Sequence, residues 1–197
     1  MERNMGGAIR IIGIGGTARH DSSSERVVRC ALDAAAAEGA ETELFDGPFL
    51  ASLPLYIPGR TERTVDECRF VEAVRGCDGI IVGSPGYHGS LSGPIKNVLD
   101  LLEDLASDER PYLDGRAFGS IVTAYGWQAC GTTLVAMRSI AHALRAWPTP
   151  FGAAVNASGP IFDAEGACLD PKVAEQLATV GKQVTEFARW RQAGLAA

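Results

Sequence analysis

Residues 8–24 read AIRIIGIGGTARHDSSS, and the way this stretch divides decides the fold. Ile9, Ile11, Ile12 and Ile14 make a short apolar run of the kind a buried strand needs, and it stops at Gly15 and Gly16. Helical periodicity begins after Ser24. Between the two lie both glycines, Thr17, Arg19 and the hydroxyls of Ser22, Ser23 and Ser24. A strand that passes through such a loop into a helix aims unpaired N–H groups and the positive end of the helix dipole at one point. Glycine lets the backbone come close, hydroxyls donate, and Arg19 supplies a planar cation. The set suits a phosphate monoester. The competing reading is an ordinary βα loop with serine N-caps.

The same alternation continues outward. A helix is predicted over 25–38, with Val27, Val28, Ala31, Leu32, Ala35 and Ala36 on one face and Gly39 as its stop. A short strand follows over 41–45, then a loop rich in Pro and Gly over 47–59. Further helices are predicted over 64–75, 93–105, 132–146 and 171–191, and further strands over 79–85, 117–124 and 149–155. Pro94 falls in the first turn of its helix, where its missing N–H costs nothing. Five strands alternating with five helices imply a parallel α/β sheet covered on both faces, hence a three-layer sandwich. In such sheets ligands bind beyond the carboxyl ends of the strands. No repeat or linker divides the 197 residues, so one domain is expected over 1–197, with 1–7 flexible.

Bulk chemistry narrows the function classes. The chain is 46% apolar and 21% charged, and no apolar run approaches the roughly 18 residues that a membrane span needs. MERNMGG at the start lacks an apolar signal core, which predicts a cytoplasmic protein without a membrane partner. A net charge of −6 without a basic block argues against nucleic acid as a partner. Cys30, Cys68, Cys77, Cys130 and Cys168 are odd in number and widely spaced, as reduced core thiols are. With His20, His88 and His142 at no ligand spacing, no metal is expected.

The loops after the strands share one edge of such a sheet. Ser84 to Ser90 (SPGYHGS) follows the third strand, and Tyr125 to Gly131 (YGWQACG) follows the fourth. Glycine, aromatic rings and free N–H groups there suit a flat heteroaromatic ring. A phosphate at one end and a planar ring at the other describe a mononucleotide, and flavin mononucleotide (FMN) fits.

GTARHDS matches the pattern G-[ST]-x-R-x-x-S, and PGYHGSLSGPIK matches P-x-Y-x-x-x-x-S-G-x-[LI]-K. In these two segments, in this order, the chain resembles the NAD(P)H-dependent FMN reductase family. The resemblance implies a flavodoxin-like fold, a five-stranded parallel sheet of order 2-1-3-4-5, and homodimers or homotetramers. It places Thr17, Arg19, Ser22 and Ser24 around the FMN phosphate, with the Ser23 side chain turned away. Pro85, Gly86, Tyr87, His88 and Gly89 would border the isoalloxazine, with backbone N–H groups near its N5 and O4 edge, and Tyr125 and Gly126 would approach the pyrimidine end. NADH or NADPH would give hydride to the flavin, and no protein residue is assigned a catalytic role.

Several residues carry plainer readings. His88 is tempting as a proton donor, Tyr87 reads as a packing ring, and Trp127 as a cover or an interface residue. Lys96 is expected to pair with a local carboxylate, Cys130 to be a small buried thiol, and Asp100, Glu103, Asp104, Asp108 and Glu109 to form a solvated helix face. The loop serines and TAYGWQACGTT look closer to reductases that supply reduced FMN to a flavin-dependent monooxygenase. The alternatives are a quinone, azo, nitro or metal-oxyanion reductase, a one-electron flavodoxin, and a flavin-binding protein without turnover. Arg19 and the modest charge speak against the flavodoxin.

Overall fold

The computed structural model describes residues 7–196. The elements run β1 (Arg10–Gly15), α1 (Ser23–Ala37), β2 (Glu41–Phe45), α2 (Gly47–Ser52), α3 (Val65–Gly76), β3 (Gly79–Pro85) and α4 (Gly93–Asp100). A 3-10 turn (Leu101–Leu105), β4 (Ala117–Ala124), α5 (Trp127–Ala143), β5 (Trp147–Pro148), β6 (Ala153–Asn156) and α6 (Pro171–Ala196) follow. The pairings between these strands are parallel and the order is β2-β1-β3-β4-β5, with β6 also on β4.

Period-2 alternation sorts the side chains into two layers. Ile12, Ile14, Ile80, Val82, Phe118 and Val122 face α3, α4 and α5, where they meet Phe70, Val98 and Met137. Ile11, Ile81 and Ile121 face α1 and α6, where they meet Val28, Leu32, Val180 and Val184. Every residue of β3 and β4 is buried, the mark of central strands covered on both sides. The α1–α6 contact is so close that a Cβ on Gly181 would collide with the Ala31 carbonyl oxygen.

The strand ends differ in chemistry. At the amino end, the fully buried Arg116 donates from Nε to the Cys77 carbonyl (3.2 Å), from Nη1 to Tyr112 (3.1 Å) and from Nη2 to Arg75 (2.8 Å). At the carboxyl end, the junctions after β1, β2 and β3 each carry a side-chain helix cap worth about 1 kcal/mol. Ser22 Oγ accepts from Glu25 N, Asp46 Oδ1 from Phe49 N, and Ser92 Oγ from Ile95 N.

Several expectations need correction. The predicted fifth strand is broken into β5 and β6, because Pro148 and Pro150 bring no N–H to the ladder. Between them Arg138 Nη2 donates to the Thr149 and Pro150 carbonyls, and Gln183 Oε1 accepts from Phe151 N. Helix α5 starts at Trp127, five residues before the predicted start, since Gly131 is simply carried inside it. The supposed loop after β2 begins with α2, whose signal, Asp46 as cap and Pro48 in the first turn, was legible. Helix α4 tightens into a 3-10 turn at Leu101, and α6 runs to Ala196.

The acidic residues are not one free surface: Asp104 pairs with Arg63 at 2.7 Å, Asp108 with Arg75 at 2.7 Å, and Asp100 with Lys96 at 2.5 Å. Of the stretch 1–7 expected to be flexible, 1–6 lie outside the described residues, and the Gly7 carbonyl accepts from Gln192 Nε2 at 3.0 Å. Among the described residues no helix is long and apolar enough to cross a membrane.

Candidate functional site

A cleft of about 540 Å³ opens beyond the carboxyl ends of β1, β3 and β4. Its walls include Thr17, Ala18, Arg19, Ser22, Ser23 and Ser24 from the first loop, Pro85, Gly86 and Tyr87 from the second, and Tyr125 from the third. Eight of the eleven expected site residues therefore meet here: Thr17, Arg19, Ser22, Ser24, Pro85, Gly86, Tyr87 and Tyr125.

His88, Gly89 and Gly126 lie outside the lining. Tyr87 and Ser90 exchange two backbone bonds, 2.9 and 3.0 Å, around a two-residue turn whose centre is His88 (φ 52°) and Gly89 (φ 85°). Positive φ at both positions is the primed turn that hairpins favour. His88 therefore sits at an exposed tip, and Gly126 is the extended N-cap of α5. Two N–H groups of this stretch are engaged within the chain, Gly86 N on the Thr123 carbonyl (2.8 Å) and Tyr87 N on that of Ser90 (2.9 Å). Gly86 is needed because a Cβ there would crowd the Ala129 carbonyl oxygen and Thr133 Oγ1 at 3.0 and 3.1 Å.

The first loop is ordered by its own chemistry. Thr17 Oγ1 accepts from Arg19 N at 3.1 Å. Asp21 is held at φ 53°, a conformation that Asp tolerates, and Arg26 Nε donates to its Oδ1 at 2.9 Å. That guanidinium holds the Asp21 carboxyl below the usual carboxylate range. Ser22 Oγ is occupied as a cap acceptor but keeps its proton to donate. The N–H groups of Ser23 and Ser24 open α1 and have no carbonyl partner within the helix. Ser23 is also part of the wall.

Sequence reading missed Ser92, whose buried Oγ donates to the Gly16 carbonyl at 2.6 Å and so ties α4 to this loop. Its signal was its place as α4's cap in the second motif. Pro94, Thr123, Ala124 and Ala157 complete the wall.

Among the described residues Arg19 is the single charged side chain on the lining, and none of them brings a carboxylate to it. One end thus offers N–H groups, hydroxyls and a cation, and the other offers Tyr87 and Tyr125, the latter 84% exposed. Trp127, 65% exposed, opens α5 just beyond. This donor set fits a phosphate joined to a planar ring. Cys130 is buried, its Sγ directed at the Ala124 and Val155 carbonyls, and burial pushes the thiol up. A second depression, about 410 Å³ beside α3, presents Arg60, Arg63 and Arg75. All three are ion-paired, to Glu67, Asp104 and Asp108. No group of three metal-ligating side chains occurs among the described residues.

Known proteins resemble this chain in sequence and in fold. The chain is 32% identical over 98 residues to an iron-sulfur flavoprotein of Methanocaldococcus jannaschii, a match spanning 47% of this chain and 51% of that protein. It is 26% identical over 194 residues to a probable NADPH:quinone oxidoreductase of Oryza sativa, covering 92% of this chain and 89% of that one. Its fold superposes with a TM-score of 0.78 on FerB, an NAD(P)H:(acceptor) oxidoreductase of Paracoccus denitrificans, at 17% identity over 93% of this chain and 99% of that one. The fold is thus flavodoxin-like, as the strand order requires. A pattern shared by NADPH-dependent FMN reductases matches residues 9–159, from the start of β1 past the end of β6. With both motif loops inside that span, the chain belongs to the NADPH-dependent FMN reductase family.

Proposed function

We propose that this chain binds FMN in the cleft beyond β1, β3 and β4 and lets NADH or NADPH reduce it there. The observation that carries this is one cleft with an anion-type loop at one end and exposed tyrosines at the other. Arg19, the hydroxyls of Ser22 and Ser24 and the first N–H groups of α1 hold the phosphate. Thr17 shapes the turn through Arg19 N. Pro85, Gly86, Tyr87 and Tyr125 position the ring. Bound FMN supplies the hydride acceptor, so the protein's part is placement and electrostatics.

The reduced flavin goes to a partner monooxygenase in this proposal. In support, the loop serines and the TAYGWQACGTT segment look closer to reductases that supply reduced FMN. A second reading, in which FMN stays bound and reduces a quinone, is favoured by the rice relative's name. Assembly into homodimers or homotetramers is part of the same proposal, and sedimentation velocity reads it directly.

The decisive measurement is a visible spectrum of protein plus FMN under NADH, then NADPH, without oxygen. Bleaching of the oxidised flavin band at about 450 nm supports the reductase. Binding without bleaching sinks it in favour of a carrier. If FMN turns over as a saturable substrate and leaves on gel filtration, the monooxygenase supply stands. Co-purification of FMN favours the quinone reading.

A further inference from the structure

We infer that Glu25 is a positioning residue for FMN: its buried carboxylate ties the phosphate loop, just after Arg19, to the start of α2. This rests on the cleft being the flavin site.

Glu25 is the third residue of α1 and fully buried. A carboxylate so placed persists only if its oxygens are satisfied. Its Oε2 accepts from Asp21 N and from Gly47 N, each at 3.2 Å, and its Oε1 accepts from Arg29 Nη2 at 2.9 Å. The chain offers its own control. Glu67 holds the same position in α3, and there the carboxylate returns to the N-cap, accepting from Thr64 N at 2.7 Å in an ordinary capping box. Glu25 makes no such return: it reaches one residue before the cap and across to a segment 22 residues later.

Both of its backbone partners bear on Arg19. Asp21 lies two residues after it, at the left-handed bend that turns the loop into α1. Gly47 opens α2 against the loop, so close that a Cβ there would collide with the Arg19 carbonyl oxygen. Room for the carboxylate stem is kept by Gly15, where a Cβ would stand 2.9 Å from Glu25 Cγ. One glycine thus makes room for the brace and the other for the loop it holds. An anion beneath an anion site opposes binding unless its charge is spent, and here two N–H groups and a guanidinium spend it. The brace needs an acceptor oxygen toward Asp21 and Gly47, which glutamine also supplies.

The test compares the wild type, Glu25→Ala and Glu25→Gln by flavin fluorescence titration with FMN and with riboflavin, which lacks the phosphate. Backbone amide exchange at Asp21 and Gly47 is followed in the flavin-free proteins. Glu25→Ala is expected to cut the preference for FMN over riboflavin about tenfold or more, to leave riboflavin affinity within about twofold, and to speed both amides about tenfold. Glu25→Gln is expected to restore most of the preference. An unchanged preference, an equal loss for both flavins, or amides as slow as in the wild type overturns the inference. If Glu25→Ala does not fold, Glu25→Gln decides: wild-type preference and protection support the brace, and loss of both overturns it. A wild type without preference for FMN defeats the phosphate site itself, whereas unaltered amides defeat only Glu25.

Discussion

Arg19 and His88 each lie in one of the two motif loops, but they differ in what they do. Arg19 is the cleft's one cation, so Arg19→Ala removes a charge-assisted bond of about 1.5–3 kcal/mol. FMN affinity should fall about 10- to 100-fold in a fluorescence titration while riboflavin affinity holds. His88 crowns an exposed turn outside the lining, and His88→Ala should leave hydride transfer within about tenfold in stopped flow. A loss of about 10² or more would return His88 to catalysis. The difference between the two was partly legible. Gly16-Thr17-Ala18-Arg19 announces its chemistry locally, since loop, cation and helix start are contiguous. The role of His88 depends on Tyr87 and Ser90 closing a turn around it, and that is a pairing, not a residue type. Glu25 and Gly47 were illegible for the same reason: their bond joins segments that no periodicity relates.

Among elements, the six that the sequence places best are those whose apolar period and caps agree. Helix α1 with Ser22, α3 with Thr64, and β1, β2, β3 and β4 all fall within a few residues of expectation. The misplaced ones are α5, which carries Gly131 inside it, and the β5–β6 pair, where prolines remove bonds that distant groups replace. Arg138 and Gln183 supply the bonds that the Thr149 to Gly152 segment cannot make for itself. The α1–α6 seam is an equally non-local feature, and it makes a sharp prediction. Gly181→Ala drives a methyl against the Ala31 carbonyl, and should cost about 1–3 kcal/mol or more in urea unfolding. A Gly181→Ala variant as stable as the wild type would mean that the helices separate freely.

For the whole molecule, the two ends of the sheet divide the labour. The cleft lies at the carboxyl end, while Arg116 holds three carbonyls at the amino end. Arg116→Met leaves those carbonyls without their donor, and should lower stability by about 3 kcal/mol or more. The folded fraction should still bind FMN with wild-type affinity. Weakened affinity at temperatures where the variant is fully folded would show that the two ends are coupled.

The bond from Ser92 Oγ to the Gly16 carbonyl joins positions 76 residues apart. It closes only after β1 and β3 have paired, with α1, β2, α2 and α3 lying between them in sequence. Such closure is entropically slow, whereas α1 forms from neighbours in sequence. On refolding from urea in the presence of FMN, helical circular dichroism should therefore return first and flavin quenching later, in a separate and slower phase. The binding loop would then be among the last parts of the chain to know that it has folded.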